Sequence, residues 1–578
     1  MTNRQVLEAL SGLLLGMFVA ILAGTVVATS LPVIISDLEG DQSAYTWVVT
    51  ATLLATTVST PLWGKFADLF NRKLLIQLAL AIFVIGSALA GFSQNTDTLI
   101  GFRVLQGLGA GGLAALSQII MADIISPRDR GKYAGLFGAV MALGTVGGPL
   151  LGGLITDSIG WRWNFFIALP IAVAAILLLQ RTLHLPKLAR RRVRIDYLGA
   201  VLITSGVSLL LIWVSVAGRS FEWASVPSFA MVTGAALLLI AAVFVEFKAP
   251  EPIIPLSMFK NRTFTLAVIA SISVGVSMFG TSVFLSQYMQ LARGATPTQS
   301  GLLTIPMMGG LLISSTVFGN FISRRGTWKS VMIAGGVLLV TGTGLLGTLQ
   351  YDTDLVLVGV YMFVLGAGVG MLMQNLVLVV QNSIEVQNLG VATSAVTFFR
   401  SLGGTIGVTV LGSILGTVVA QQVTMGIKAL ARADRLEAAR TLGGGAIPDV
   451  NELPDAIRIL AESAYGSGVG TVFLLTVPLA VITLVAVVFL PNVPLGKKNA
   501  IQLRRGAESR PPTAPLDAAA VAAARKRETE DTEDAMIGVS AGSAALNPVG
   551  QARPTGSIPV IEPDAARATA PQSPRKQS

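Results

Sequence analysis

Asp68, Arg72 and Lys73 stand together in one polar interruption, Gly64-Lys65-Phe66-Ala67-Asp68-Leu69-Phe70-Asn71-Arg72-Lys73, between two long apolar runs. A carboxylate and a guanidinium four residues apart lie about one helical turn from each other, so they can form an ion pair that makes and breaks. Gly64 permits close helix packing or a tight exit from a bilayer. Asp123 and Arg130, at the ends of later apolar runs, can join the same charge network. Arg103 and Arg400 are different: each falls inside an apolar run, where a charge costs on the order of 2.5–3.5 kcal/mol on insertion scales and must face a bundle interior or a wet cavity. Snorkelling to the interface is the other reading of both. No cluster of His, Asp or Glu is placed for general acid–base catalysis, so the chemistry on offer is charge switching and not bond making, and no enzyme is expected.

The elements that must position these charges are membrane helices. With 52% hydrophobic and 12% charged residues and a mean hydropathy of +0.70, the 578-residue chain falls among polytopic membrane proteins. About fourteen apolar segments of roughly 18–24 residues, each able to cross a ~30 Å hydrocarbon core, fill the chain to about residue 491. The formal charge of +10 is distributed by membrane side and gives nucleic acid no support as a partner. Lys65, Arg72, Lys73, Arg128, Arg130, Lys132, the cluster Arg190, Arg191, Arg192 and Arg194, Lys248, Lys260, Arg262, Arg324, Arg325 and Lys329 fall in one set of loops. Only Arg162, Arg219 and Arg293 fall in the short loops of the other set. The positive-inside rule then places both termini in the cytoplasm of a multi-pass plasma (inner) membrane protein surrounded by lipid. The first apolar run lacks a convincing cleavage site and is expected to be retained. Cys is absent and His184 is the only histidine, which excludes disulfides and Cys/His metal sites, and no cofactor is expected.

An internal repeat organises the spans. Gly107-Leu108-Gly109-Ala110-Gly111 recurs as Gly366-Ala367-Gly368-Val369-Gly370, and Gly131 recurs as Gly390, both at an offset of 259 residues (366 − 107 and 390 − 131). Parallel repeats of this kind build two facing bundles. The expected architecture is all-α: six helices over 1–183, a linker and inserted helix pair over 184–262, six helices over 263–491 with an outer loop at 421–465, and a disordered tail over 492–578. A weaker echo of the opening motif, Gly319-Asn320-Phe321-Ile322-Ser323-Arg324-Arg325-Gly326, has Ser323 in the place of Asp68, so the two loops have unequal roles. A monomer is expected.

The segment Gly64 to Lys73 resembles the signature loop between spans two and three of the major facilitator superfamily. Gly144-Thr145-Val146-Gly147-Gly148-Pro149-Leu150-Leu151-Gly152-Gly153 resembles the fifth-span motif of its exporters, where small residues allow close approach and Pro149 bends the helix. Trp161-Arg162-Trp163-Asn164-Phe165-Phe166, Glu246 with Pro252-Ile253-Ile254-Pro255 through Phe264, and Phe399-Arg400 with Gly403-Gly404 are similar to segments of the fourteen-span drug:proton antiporter family. That resemblance implies a secondary exporter of lipophilic or cationic drugs, working by alternating access in exchange for protons. Export of an endogenous lipid or secondary metabolite is the alternative within transport; a membrane receptor, sensor or membrane-bound transferase is the alternative outside it. Span one departs from the family pattern, with Ala23 where an Asp is usual, and span six has Ala168 where an Asn is usual. Either Asp37, with no cation near it in sequence, supplies proton coupling, or export is only weakly proton-driven. Thr25, Thr29, Trp47, Gln118 and Asn375 are candidates for polar positions in a largely apolar substrate cavity, each equally readable as a packed face.

Overall fold

The computed structural model describes residues 3–39, 42–185, 196–218, 221–430 and 453–503, with single positions between 435 and 450. The basic linker at 186–195, the middle of the expected outer loop and the tail beyond 503 lie outside the described residues. In order the helices are α1 Asn3–Asp37, α2 Gln42–Leu69, α3 Arg72–Gly91, α4 Thr96–Ile124, α5 Gly131–Ile159, α6 Trp163–Phe166, α7 Ala168–Thr182, α8 Tyr197–Val216 and α9 Val226–Lys248. The second half holds α10 Arg262–Gln287, α11 Pro297–Leu303, α12 Ile305–Arg325, α13 Lys329–Leu346, α14 Leu355–Ser383, α15 Leu389–Ala429 and α16 Asp455–Phe489. Helix is what an apolar solvent demands, because every backbone N–H and C=O must be satisfied within the segment. The starts are set by polar side chains at the interfaces: Asn71, Asn95, Asp196, Ser225, Asn261 and Asp354 accept from first-turn N–H groups.

Among the described residues, 13 helices are long and apolar enough to span a membrane. The remaining expected span is α2, whose 28 residues suffice in length. Its hydroxyls at Thr50, Thr52, Thr56, Thr57, Ser59 and Thr60 lower its apolarity; Thr56 donates to Gly107 O at 3.2 Å and Ser59 to Leu108 O at 3.4 Å on α4, while Thr52 and Thr60 bond the α2 backbone. Two hydrophobic cores form. One joins α1, α3, α4, α5 and α7 through residues such as Leu10, Leu80, Phe83, Leu116 and Leu179; the other joins α10 and α12 to α16 through Phe264, Met332, Leu339, Leu372 and Phe473.

The repeat at offset 259 has a structural counterpart. A Cβ on Gly107 would lie 2.6 Å from Thr52 O in α2, and one on Gly366 would lie 2.0 Å from Met307 O in α12. Gly109 abuts Ala79 and Phe83 in α3, and Gly368 abuts Gly335 and Leu339 in α13, so equivalent glycines bring equivalent helices together.

Two boundaries differ from expectation. Helices α15 and α16 extend to Ala429 and from Asp455, which takes both ends of the 421–465 loop into helix. The chain after α16 is also ordered past 492. Trp328 Nε1 donates to Val493 O at 2.8 Å, Asn382 brackets the turn at Pro494 O (3.1 Å) and Gly496 N (2.8 Å), and Leu495 and Ala500 are buried. This strap then crosses to the first bundle, where Arg128 N donates to Gly496 O at 3.2 Å and Asn499 Nδ2 to Ile124 O at 3.3 Å. Polar composition alone suggests disorder here; pairing with fixed partners on both bundles supplies the order.

Candidate functional site

At the end of the molecule that carries the Lys/Arg-rich loops, called the basic end below, Arg72 turns back from the start of α3. Its Nε donates to Ala67 O at 2.9 Å, its Nη2 to Asp68 Oδ1 at 3.1 Å, and its Nη1 to both carboxylate oxygens of Asp123 at the end of α4. The Arg72, Asp68 and Asp123 side chains are only 2%, 6% and 3% exposed. Buried charges are tolerated when paired and hydrogen-bonded, and breaking one such pair costs about 3–5 kcal/mol.

Asp68 also reaches into the other bundle. Gly390 N and Val391 N donate to its Oδ1 and Oδ2 at 2.9 Å each. These are first-turn N–H groups of α15, which lack helix partners and carry the positive end of the helix dipole, so a carboxylate is the fitting acceptor. One turn earlier, Gly64 lies so close to α15 that a Cβ would stand 1.8 Å from Ser394 Oγ and 2.9 Å from Gly390 O. On the opposite seam a Cβ on Gly131, at the start of α5, would lie 2.0 Å from Gly319 O at the end of α12. The glycine of each loop motif thus meets the helix-opening glycine of the other repeat.

Between the seams lies a polar relay. Arg130 donates to Gln381 Oε1, to Ile125 O at 3.2 Å and to Ala122 O at 3.2 Å. Gln381 Nε2 donates to Thr393 Oγ1 at 2.9 Å and to Gln118 O at 3.4 Å, and Gln118 Nε2 donates to Gln374 Oε1 at 3.2 Å. Burial pulls the Arg130 guanidinium down to about 9, with Asp123 opposing the shift, so it remains a cation at neutral pH. Arg128 closes the second seam by donating to Ser323 O at 3.3 Å and Arg324 O at 3.2 Å. The void among Arg130, Ala134, Gln374 and Asn375 is about 20 Å³, room for a single water.

Helices α4 and α14 show how far this closure extends. Ala115 to Ile124 of α4 and Leu365 to Met373 of α14 are buried without a break. Toward the other end Gly101, Val104 and Leu108 of α4, and Val356, Val360 and Phe363 of α14, are exposed. Along α4 and α14 the bundles therefore meet at the basic end and leave the far halves of both helices exposed, while α5 stays packed on α11 and α12. A separate cavity of about 630 Å³, lined by Arg293, Gln299, Leu302, Tyr351 and Glu462, lies within the second bundle at that far end.

The sequence pattern of the Major Facilitator Superfamily matches residues 13–408. The chain belongs to the major facilitator superfamily. It is 37% identical over 406 residues to the Multidrug transporter protein MdtP of Bacillus subtilis (strain 168), covering 70% of this chain and 74% of that protein. It is 33% identical over 483 residues to the Multidrug resistance protein 3 of the same organism, covering 83% and 94%. The crystal structure of the human organic anion transporter MFSD10 (TETRAN) matches with a TM-score of 0.54 at 16% identity, over 82% of this chain and 99% of that one, which shows a shared fold. The protein is a multi-pass membrane transporter of the superfamily's multidrug-efflux type and not an enzyme.

In this transporter the sequence candidates divide. Gly64, Asp68, Arg72, Asp123 and Gln118 come together at the basic end, and Asn375 lines the small void there with its Nδ2 bonded to Met371 O at 2.6 Å. Lys73 does not join them: its Nζ donates to Gln180 O at 2.8 Å, at the end of α7. Gly148 is a packing position, where a Cβ would lie 1.9 Å from Thr25 Oγ1, and Pro149 lies within α5. Thr25 is turned onto α5, donating to Gly144 O at 2.9 Å, and Thr29 donates to Thr25 O at 3.0 Å, so each spends its proton on backbone and keeps only acceptor capacity. Trp47 is half-buried in α2.

Arg103 is buried in a chain that runs from its Nη1 to Gln106 Oε1 (2.6 Å), from Gln106 Nε2 to Ser87 Oγ (3.2 Å) and from Ser87 Oγ to Phe165 O (3.0 Å). That ties α4 to α3 and α6. Arg400 is 7% exposed and has no hydrogen bond or ion pair among the described residues. Asp37 lacks a cation nearby in sequence but acquires one in the fold. Trp161 Nε1 and Arg162 Nη1 donate to its Oδ2 at 2.9 and 3.1 Å and hold the carboxyl below its usual range. A proton carrier needs the opposite shift, so Asp37 is unsuited to coupling near neutral pH. Gln381, Gln374, Arg128, Lys65 and the strap over 491–503 were absent from the sequence-based set. Their partners lie far away in the chain, so although Lys65 sits inside the opening motif, its pairing with Glu251 has no local mark.

Proposed function

We propose that the protein exports a lipophilic small molecule across the plasma (inner) membrane by alternating access, with the basic end cytoplasmic and both termini on that side. The observation that carries this is the Asp68 carboxylate accepting the Gly390 and Val391 N–H groups across the seam. It is a releasable bond between bundles, placed where they must part to admit cargo from the cytoplasm. The names of the Bacillus relatives, a multidrug transporter and a multidrug resistance protein, support outward movement of drugs. Arg103 and Arg400 are buried cations, and span one carries Ala23 where a carboxylate is usual in the family, which favours neutral or anionic lipophilic cargo over cations.

Exchange for protons is part of the proposal, and the Asp68, Arg72 and Asp123 group is the latch that opening must release. Parting the bundles breaks the charge-assisted bonds from Gly390 N and Val391 N to Asp68, so the latch releases as a unit. The test is efflux of a panel of dyes and lipids from energised vesicles, with and without a proton uncoupler. Accumulation that collapses on uncoupling supports the reading; accumulation that is unchanged removes the proton. Export of an endogenous lipid or secondary metabolite would appear as lipid movement without dye movement.

A further inference from the structure

We propose that the inserted pair α8 and α9 is a working part of the basic-end gate, with Glu246 as the positioning residue. It shapes the link after α9 so that Glu251 pairs with Lys65 on α2. The proposal rests on the gate assigned above and adds to it an element with no counterpart in the repeated bundles.

Lys65 follows Gly64 directly and is 5% exposed, although it is a lysine. Its Nζ lies 3.0 Å from Glu251 Oε2, its one hydrogen-bonded ion pair among the described residues, and the Glu246 carboxylate behind it is near enough to feel the same charge. A buried ammonium holds its place only while its counter-charge does, and removing one partner of such a pair is far more damaging than removing both. The position of Glu251 therefore decides whether the gate end of α2 can stay packed.

Glu251 is held by an unusual piece of chain. The link Ala249-Pro250-Glu251-Pro252-Ile253-Ile254-Pro255 has three prolines, which fix φ and donate nothing. Ile253 N and Ile254 N donate to Glu246 Oε1 and Oε2 at 3.0 and 3.1 Å, so one carboxylate holds both. Ile253 is fully buried and Glu246 is 6% exposed. On its other side Glu246 is wedged against the first turn of α8: a Cβ on Gly199 would lie 2.9 Å from Glu246 Oε1 and 2.3 Å from Asp196 Oδ2. The carboxylate thus links the start of α8, the end of α9 and the link in one rigid corner, and Glu251 projects from that corner to Lys65.

The pair also lies on the seam itself. Val207 and Leu211 of α8 share a buried cluster with Val58 of α2 and Phe398 of α15, the two helices that Asp68 joins one end further on. Parting α2 from α15 must therefore either carry α8 along or strip it from one of them. The Lys65–Glu251 pair decides in favour of α2.

The experiment is a charge swap in the Cys-free chain, with Asp68→Asn as the reference gate variant. Dye efflux and thiol labelling of Ala134→Cys, which sits in the opposite seam, are measured together with membrane insertion. Lys65→Glu and Glu251→Lys are each expected to cut efflux about tenfold and to raise labelling, and the double swap to restore both to within about twofold, as coupled residues do. Glu246→Ala should match Glu251→Lys, while Glu246→Gln, which keeps one acceptor, should fall between it and wild type. Lys65→Arg, which keeps the charge with little risk to folding, should retain efflux. Full efflux in both single charge reversals, or a double swap no better than either one while Asp68→Asn is impaired, overturns the proposal. Normal efflux in Asp68→Asn overturns the gate beneath it as well, and so separates the two failures.

Discussion

Asp68 has two oxygens and uses them on two bundles: Oδ1 serves Arg72 and Gly390, and Oδ2 serves Val391. Asp68→Asn keeps the shape, removes the charge and replaces one acceptor by a donor facing N–H groups. Hydrogen bonds to a charged group contribute about 1.5–3 kcal/mol, so the closed state should lose roughly ten- to hundredfold in population. The check is labelling of Ala134→Cys from the basic side, which should speed up while export falls. Asp37 gives the opposite prediction. Its carboxyl is depressed by Trp161 and Arg162, so its contacts are present above the ordinary carboxyl range and lost only as pH falls through the depressed value. Asp37→Asn should therefore leave the pH profile of efflux unchanged near neutrality. A shifted profile would restore Asp37 as a coupling group. Asp68 and Arg72 were legible in sequence because four residues apart on a helix is itself a contact. The acceptor role toward Gly390 was not, because it spans 322 residues of chain.

At the scale of helices the two seams are built alike and fastened differently. Gly64 meets Gly390, and Gly131 meets Gly319, yet Asp68 fastens the first seam where Arg128, donating to the carbonyls of Ser323 and Arg324, fastens the second. The 259-residue offset and the replacement of Asp68 by Ser323 already pointed to this asymmetry. A methyl at Gly131 would lie 2.0 Å from a backbone oxygen that cannot rotate away. Gly131→Ala should prop the second seam open and slow export severalfold, while Gly153→Ala, with nothing within 4 Å of its added Cβ, should leave export unchanged. Equal export in both variants would show that the seam does not close in the cycle. Helix existence was legible throughout from apolar length, whereas α2 is marginal by hydropathy because it is rich in hydroxyl side chains, two of which, Thr56 and Ser59, donate to α4. The strap after α16 could not be anticipated, since its polar residues take their order from Trp328, Asn382 and Ile124 on three other elements.

For the molecule as a whole, orientation follows from the charge bias of the loops. With no native Cys, Lys497→Cys in the strap and Gly443→Cys in the expected outer loop can be compared in intact cells with a membrane-impermeant thiol reagent. Labelling at 443 and not at 497 is expected, and the reverse would invert the topology. The proposed closure of the basic end by Asp68 makes one demand that no merely structural role for that residue would make. The direct measurement is dye accumulation in inverted vesicles under an imposed pH gradient, acid inside, comparing wild type with an equally inserted Asp68→Asn. The account predicts uptake against the dye gradient in wild type, collapsing on uncoupling, and loss of nearly all of it in the variant. Undiminished uptake in Asp68→Asn would contradict it.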